Sequence, residues 1–213
     1  QYGIRNPLGG VAGWSEVYMN ASLESYLKGY NDPRIKSYFN LAQDGRDKEG
    51  NIIKEVAGVK QLNSIEGEYK GVRQGTGVAD NRYSTHSQTA ITTGSKIIVM
   101  SAAEVWFLRA EAALRNYTSE NVENCYKQGI TVSFAQWDAS GVSEYLENTN
   151  KPAAYVDAFD KKFDADAPTS ITPKWDESAP LELKLERIIT QKWLAIYPEG
   201  CEAWAEQRRT GYP

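Results

Sequence analysis

Glycine is distributed unevenly along this chain of 213 residues. Thirteen of its 17 glycines fall at or before Gly94, and only four follow. Because glycine weakens helix interiors and favours turns, the early part of the chain cannot consist mainly of regular helices. We therefore predict two parts: a loop-rich region over residues 1–99 with a few short strands, and a helical, repeat-like region over residues 100–213.

The helical region begins with a pattern typical of a helix start. Ser101 is followed three residues later by Glu104, which predicts a capping box, and Val105, Leu108 and Ala112 predict one apolar stripe. A second helix is predicted from the four-residue spacing of Val122, Tyr126, Ile130 and Phe134. The pair resembles one tetratricopeptide repeat unit, with Leu108 and Ala112 at the packing positions of its first helix. The predicted fold class is mainly α: tetratricopeptide-like helix pairs packed with an irregular, loop-rich subdomain.

A long acidic connection follows over residues 138–177, before the last two predicted helices. It holds nine acidic residues and four lysines, a net charge of −5, whereas the whole chain carries −4. This charge disfavours a nucleic acid partner, because phosphates would be repelled. No apolar run approaches the roughly 18 residues that a membrane-spanning helix needs.

Histidine and cysteine, two residue types that often perform catalysis, are scarce. The chain has one histidine, His86, and two cysteines, Cys125 and Cys201, which excludes zinc fingers, multi-histidine metal sites and a disulfide framework. The sequence contains neither a nucleophile elbow nor a phosphate-binding loop, and we interpret His86 as an ordinary loop residue. No catalytic residue and no cofactor are predicted. A disulfide between the two cysteines is an alternative if the protein is exported.

Two clusters of polar oxygens could in principle ligate calcium. The first comprises Asp44, Asp47, Glu49 and Asn51, and the second comprises Asp157, Asp160, Asp164 and Asp166. In the first cluster no glycine occupies the sixth position that an EF-hand loop requires. Solvated surface charge explains both clusters, so we predict no metal site.

Aromatic residues with a polar edge dominate the aromatic content. The chain contains thirteen tyrosines and six tryptophans but only five phenylalanines. In loops, such rings beside amides and charged groups suit a polar, ring-shaped ligand such as a sugar. The predicted site residues are Trp14, Tyr69 and Tyr83 for stacking, and Arg73, Asp80 and Asn81 for hydrogen bonds. For each residue, packing within the protein is the alternative interpretation.

Several blocks of the sequence resemble a single family. They are DPR at 32–34, YKGVRQG at 69–75, MSAAEVWFLRAEAA at 100–113, YKQGI at 126–130, ERIITQKW at 186–193 and EAWAEQRRTGYP at 202–213. Together these blocks resemble the SusD/RagB family of outer-membrane nutrient-binding lipoproteins. The resemblance covers nearly the whole chain, and the two C-terminal blocks are the most specific.

The resemblance implies a lipid-anchored protein on the surface of a Bacteroidetes-type bacterium, with residues 1–99 facing the ligand. It implies capture of oligosaccharides, or of peptides in the RagB-like branch, and delivery to a SusC-like TonB-dependent transporter without catalysis. We expect the chain to be the C-terminal portion of a longer polypeptide, with the lipid anchor outside it. Two alternatives stay open: a scaffold that only contacts the transporter, and an enzyme with an unrecognised pair of acids.

Overall fold

A computed structural model describes residues 5–15, 17–76 and 81–213. The chain divides into two compact units. The first unit comprises Gln1–Ile97 and Pro152–Thr169, and the second comprises Ile98–Lys151 and Ser170–Pro213. The change of character expected after residue 99 lies close to the first division, whereas residues 152–169 of the acidic connection belong to the first unit.

The first unit consists of short elements joined by long loops. Its elements are α1 (Pro7–Ala12), α2 (Ala21–Gly29), α3 (Ile35–Tyr38), β1 (Glu55–Val56), β2 (Val59–Lys60) and a 3₁₀ helix at Lys161–Phe163. The two strands pair antiparallel, with Val56 opposite Val59. Ala57 and Gly58 connect them and both have positive φ, which matches the twist of a two-residue hairpin turn.

The start of α2 shows how individual residues fix the local structure of this unit. The Asn20 side chain accepts a hydrogen bond of 2.7 Å from the backbone N–H of Ser22 and so caps the helix. Gly71 lies against the same helix start, where an added Cβ would be 2.8 Å from the Asn20 carbonyl oxygen. Only glycine therefore allows the loop at residue 71 to approach α2 this closely.

Loops that are distant in sequence share one apolar core in the first unit. The core cluster contains Ala42, Ile65, Tyr83, Ala158 and Phe159. Each of these side chains is at most 5% exposed. Burial of this cluster explains why residues 152–169 belong with the glycine-rich part of the chain rather than with the helices that flank them.

The second unit is built from helices. They are α4 (Ala102–Leu114), α5 (Val122–Gln136), α6 (Val142–Leu146), α7 (Leu181–Ala195) and α8 (Gly200–Thr210). The helix α4 packs against both α5 and α7. On α5, Tyr126, Ile130 and Phe134 are buried, which confirms the predicted face of that helix. The predicted fold class, mainly α with a few short strands, is also confirmed.

Two details predicted for α4 are wrong. The Ser101 hydroxyl donates to Oε1 of Gln136 at 3.3 Å instead of capping the helix, and Glu104 forms an ion pair with Lys192 instead of a capping box. The predicted apolar stripe is rotated, because Leu108 is 45% exposed whereas Phe107 is fully buried. The cause lies on α5, where the missing side chain of Gly129 leaves room for the Phe107 ring: an added Cβ would lie 2.7 Å from it.

Within the described ranges, no helix combines the length and the apolar character that crossing a membrane would require.

Candidate ligand-binding site

Trp14 is strongly exposed, as its predicted stacking role requires. It follows α1 in a turn of the first unit, and 70% of its surface is accessible. A tryptophan ring that packs against other side chains removes a large apolar area from water and so stabilises the fold. Because the Trp14 ring stays exposed, it contributes little of this stabilisation. Its flat face is available for a ligand.

Tyr83 does not fit the predicted stacking role, and this part of the predicted site needs correction. Its ring is fully buried in the core cluster and meets Phe159 edge-on at 5.6 Å. Its hydroxyl donates to Oδ1 of Asp157 at 3.4 Å. Burial, with the nearby Asp157 charge, raises the pKa of Tyr83 to about 12. The ring belongs to the packing of the unit and offers no face to a ligand.

Three other predicted residues, Tyr69, Arg73 and Asn81, come before, within and after the glycine-rich segment of the first unit in the sequence. Arg73 is exposed and donates from Nη1 to the carbonyl oxygens of Phe163, at 3.1 Å, and Asp164, at 2.9 Å. Tyr69 is half-buried, and this burial raises the pKa of its hydroxyl. Asn81 is exposed and has a positive φ of 57°. The ligand roles of these three residues stay predictions, and Asp80 lies outside the described residues.

A cavity of about 280 Å³ opens in the first unit. It is lined by Asn40, Leu41, Gln43, Ser84, Thr85, His86 and Gln88. Two backbone hydrogen bonds fix its walls: the Asn40 N–H donates to the Gln88 carbonyl at 2.9 Å, and the Gln43 N–H donates to the Thr85 carbonyl at 3.0 Å. Residues 40–43 and 85–88 therefore run side by side, although more than 40 positions separate them in the sequence. We call this the amide-lined cavity.

Gln88 connects the amide-lined cavity to the turn that carries Trp14. Its side-chain Nε2 donates to the carbonyl oxygen of Ser15 at 3.3 Å. The Tyr18 hydroxyl donates to the same carbonyl at 2.8 Å, and Tyr18 forms a β-bridge with Gln88. An exposed aromatic platform and a polar cavity are thus held by one set of hydrogen bonds.

His86 borders this cavity, but its ring is buried and packs against Tyr83, at 5.0 Å between ring centroids, and Phe159, at 6.2 Å. Both of its ring nitrogens are buried without a hydrogen-bond partner among the described residues. Burial, and then the positive charge of Lys70, lowers the pKa of His86 to about 4. The imidazole is therefore neutral near pH 7, with one donor and one acceptor unused. Sequence reasoning interpreted His86 as an ordinary loop residue, and its being the chain's single histidine was the only available signal.

A second cavity, of about 250 Å³, lies elsewhere in the first unit and contains charged groups that bind one another. Nζ of Lys70 is 3.0 Å from Oε1 of Glu24 and also donates to the carbonyl of Val156. The other carboxylate oxygen of Glu24 accepts a bond of 2.7 Å from the Gly71 N–H. These buried charges hold α2, the loop at residue 71 and residue 156 together, so their role is structural.

In each of the two clusters considered for calcium, a central carboxylate accepts hydrogen bonds from neighbouring protein groups. Asp44 accepts from the backbone N–H of Ile65 and from the side chains of Gln61 and Ser64. Asp157 accepts from the backbone N–H groups of Phe159 and Asp160. Within residues 5–15, 17–76 and 81–213, no three histidine, cysteine or acidic side chains are grouped to hold a metal ion. Cys125 and Cys201 are free thiols.

Comparison with known proteins identifies one family for this chain. The family model that matches is SusD-like, described as Susd and RagB outer membrane lipoprotein, and it matches residues 2–213. A SusD homologue from Bacteroides vulgatus is 41% identical, with a TM-score of 0.82, and the match covers 100% of this chain and 41% of that one. A chitin-binding SusD homologue from Flavobacterium johnsoniae is 38% identical, with a TM-score of 0.84 and the same coverage.

A third solved structure, a SusD homologue from Bacteroides ovatus, is 36% identical with a TM-score of 0.82, and the match covers 98% of this chain and 42% of that one. The chain thus spans about two fifths of the length of the solved relatives that it matches. No curated protein matches it. Because the family model covers nearly every residue and relatives above 30% identity cover the whole chain, the chain belongs to the SusD-like family of outer membrane lipoproteins.

Proposed function

We propose that this chain contributes a glycan-binding surface to a nutrient-binding protein of the outer membrane. The observation that carries the proposal is the exposed Trp14 ring, which is 70% accessible and is tied through Ser15 and Gln88 to the amide-lined cavity. The C–H face of a sugar can stack on such a ring while its hydroxyl groups bond to neighbouring amides. The chitin-binding relative, which matches over the whole chain, supports a glycan as the ligand class.

The geometry favours binding of moderate strength. Trp14 stands on a turn near the surface, so a ligand stacked on it keeps one face in water and buries limited apolar area. A protein that passes its cargo to a transporter must also release it, and limited burial allows rapid dissociation. We propose no catalytic step for this chain, because its role in the family is binding.

The proposal is tested by calorimetry on the 213-residue chain with oligomers of N-acetylglucosamine, glucose, galactose and mannose. We expect Trp14→Ala to weaken binding of the preferred oligomer about tenfold, the loss of roughly 1.4 kcal/mol of stacking energy. The matched control is Trp204→Ala, because Trp204 is also exposed, at 60%, but lies on α8 in the second unit.

An unchanged affinity in Trp14→Ala, or equal losses in both variants, would contradict the role of Trp14. Peptides belong in the same titrations. Binding of a peptide but of no glycan would replace this proposal with the RagB-like alternative.

Delivery of the ligand to a SusC-like TonB-dependent transporter is the second part of the proposal, and membership of the SusD-like family supports it. The test is gentle purification of the intact native lipoprotein from outer membranes, followed by mass spectrometry. We expect a TonB-dependent barrel in a stoichiometric amount. Purification of the lipoprotein free of any barrel would contradict this part and leave the glycan proposal standing.

A further inference from the structure

We infer that the exposed apolar side of α1 selects sugars that carry a methyl group, either in an acetamido substituent or as the terminal methyl of a deoxy sugar. The inference rests on the proposed function and specifies the ligand class for the Trp14 platform. Three side chains carry it: Leu8, Val11 and Trp14 are 44%, 42% and 70% exposed. We call these three side chains the α1 ridge.

The α1 ridge follows helical spacing. Leu8 and Val11 lie three residues apart within α1, and the Trp14 backbone N–H donates to the Val11 carbonyl at 3.0 Å, which adds one further turn up to the tryptophan. Residues three apart on a helix are neighbours on its surface. Because a helix rises about 1.5 Å per residue, Val11 lies about 4.5 Å from Trp14 along the axis, within reach of the substituents of a sugar stacked on the ring.

The opposite side of α1 packs against the first unit. Gly9 is buried, and an added Cβ there would overlap the carbonyl carbon of Thr92. The Asn6 backbone N–H donates to the Thr93 carbonyl at 3.0 Å and fixes the start of the helix. A helix turns by about 100° per residue, so Val11 lies about 200° around the axis from Gly9. The α1 ridge is therefore the side of the helix that faces away from the fold.

The segment that forms the α1 ridge contains no charged residue. Residues 6–15 read NPLGGVAGWS, and the two polar side chains of this stretch, Asn6 and Ser15, stand at its ends. A hydroxyl substituent above the ridge meets no hydrogen-bonding side chain of the ridge itself. A methyl group in the same place removes apolar surface of both partners from water, which stabilises the complex.

The size of the α1 ridge favours a sugar over a protein as its partner. Each partner in a stable protein interface buries roughly 800 Å². A fully covered tryptophan contributes only about 150–250 Å², and the other two members of the ridge are smaller and only partly exposed. A sugar ring on Trp14 with one substituent over Val11 needs no larger surface.

The N-acyl group of glucosamine provides a comparison that differs by one methyl group. Oligomers of N-acetylglucosamine and of N-formylglucosamine have the same amide, so a difference in affinity reports the methyl group. In calorimetry on the 213-residue chain we expect the acetyl oligomer to bind about threefold to fourfold more tightly. A deoxy-sugar oligomer and its hydroxyl counterpart form the second pair. A gain in either pair supports the inference, and the pair that shows it identifies the source of the methyl group.

Val11→Thr tests the inference from the protein side, because threonine keeps the shape of valine and replaces one methyl group by a hydroxyl at an exposed position. We expect the preference for the methyl-bearing oligomer to fall below about twofold. The matched control is Val105→Thr, since Val105 is 39% exposed but lies on α4 in the second unit. Trp14→Ala should weaken both members of a pair by the same factor, because it removes the stacking that they share.

Three outcomes overturn the inference while Trp14-dependent glycan binding, and with it the proposed function, stands. They are equal affinities within both pairs, an unchanged preference in Val11→Thr, and an equal loss of preference in Val105→Thr. A fourth would assign the α1 ridge to a protein contact: the intact lipoprotein with Val11→Thr purifies without its barrel and keeps its sugar preference. If no oligomer binds, the inference and the proposed function both fail.

Discussion

The two units of the molecule use buried charge in different ways. In the first unit, buried acids hold the backbone of loops: Glu24 accepts from the Gly71 N–H, and Asp157 accepts from the N–H groups of Phe159 and Asp160. In the second unit, buried charges join side chains of different helices, as Lys192 of α7 does with Glu206 of α8 at 3.1 Å. Helices satisfy their own backbone groups, whereas loops depend on side chains for this.

This difference bears on where a ligand can bind. A loop unit already brings amides, hydroxyls and acids next to backbone groups, and some of those side chains, such as Gln43, remain without a partner among the described residues. The helical unit places its buried polar groups between helices. The candidate site therefore lies in the first unit because irregular backbone needs polar side chains close at hand.

We expect the largest loss of stability from Glu24→Ala, which tests whether buried charge holds the loops of the first unit. Removing this carboxylate leaves the buried Lys70 ammonium and the Gly71 N–H without their partner, so we expect a loss of about 3–5 kcal/mol in the free energy of unfolding. Denaturant titration measures it. Lys28→Ala is the control, because Lys28 also pairs with Glu24 but is 37% exposed, and should cost less than about 1 kcal/mol.

Glu24→Gln separates the two contributions, since an amide oxygen can still accept from the Gly71 N–H while the charge is gone. We expect an intermediate loss. Equal stability of Glu24→Ala and Lys28→Ala would show that buried charge does not hold these loops.

The next largest effect should appear on acidification and depend on His86. The folded protein binds a proton on His86 with a pKa of about 4, and the unfolded chain near 6.5, so the unfolded state takes up more protons between these values. Stability contributed by the neutral ring is complete above pH 6.5 and falls by about 3 kcal/mol as the pH drops to 4. Denaturant titrations at several pH values measure this loss.

The carboxylates also titrate in this range, so the comparison is with His86→Gln, which cannot take up the proton. Wild type should lose more stability than this variant over the same interval. Parallel curves for the two proteins would mean that the histidine is not held neutral by the fold.

A smaller effect should follow when helix packing in the second unit is disturbed. Gly129→Ala places a methyl group 2.7 Å from the Phe107 ring, and we expect a loss of about 1–3 kcal/mol. Gly200→Ala is the control, because an added Cβ at that helical position meets nothing within 4 Å. If the close approach causes the loss, adding Phe107→Leu to Gly129→Ala should cost less than the sum of the single changes.

The smallest effect should be that of a reductant on the second unit. Because Cys125 and Cys201 are free, dithiothreitol should leave the melting temperature unchanged. Burial raises the pKa of the Cys125 thiol, so maleimide should modify the exposed Cys201 first. A drop in melting temperature on reduction would instead point to the disulfide considered as an alternative from the sequence.

Features set by neighbours in sequence were the predictable part of the fold. Asn20 caps α2 because its partner is two residues away, and the four-residue spacing of Tyr126, Ile130 and Phe134 fixes one face of α5. The predicted capping box at Ser101 failed because Glu104 finds a stronger partner in Lys192, which is distant in sequence. The local sequence pattern around Ser101 does not reveal an ion-pair partner that is distant in sequence.

The candidate site was predictable only in part, for the same reason. Trp14 was predicted from its flexible surroundings, and its exposure agrees with a free ring, although its ligand role stays a prediction. Tyr83 was indistinguishable from Trp14 in the sequence, because its burial depends on Phe159, 76 positions later. The amide-lined cavity could not be predicted at all. Residues 40–43 and 85–88 become neighbours through backbone hydrogen bonds, and no pattern of hydrophobic residues in the sequence indicates that pairing.

Both parts of the candidate site, the amide-lined cavity and the turn that carries Trp14, depend on Gln88. The Gln88 side chain lines the cavity, and its amide also donates a hydrogen bond to the Ser15 carbonyl in the turn next to Trp14. A change at position 88 would therefore reshape the cavity and shift the aromatic platform in a single step, so a new sugar preference could arise from one substitution, without separate alterations at each half.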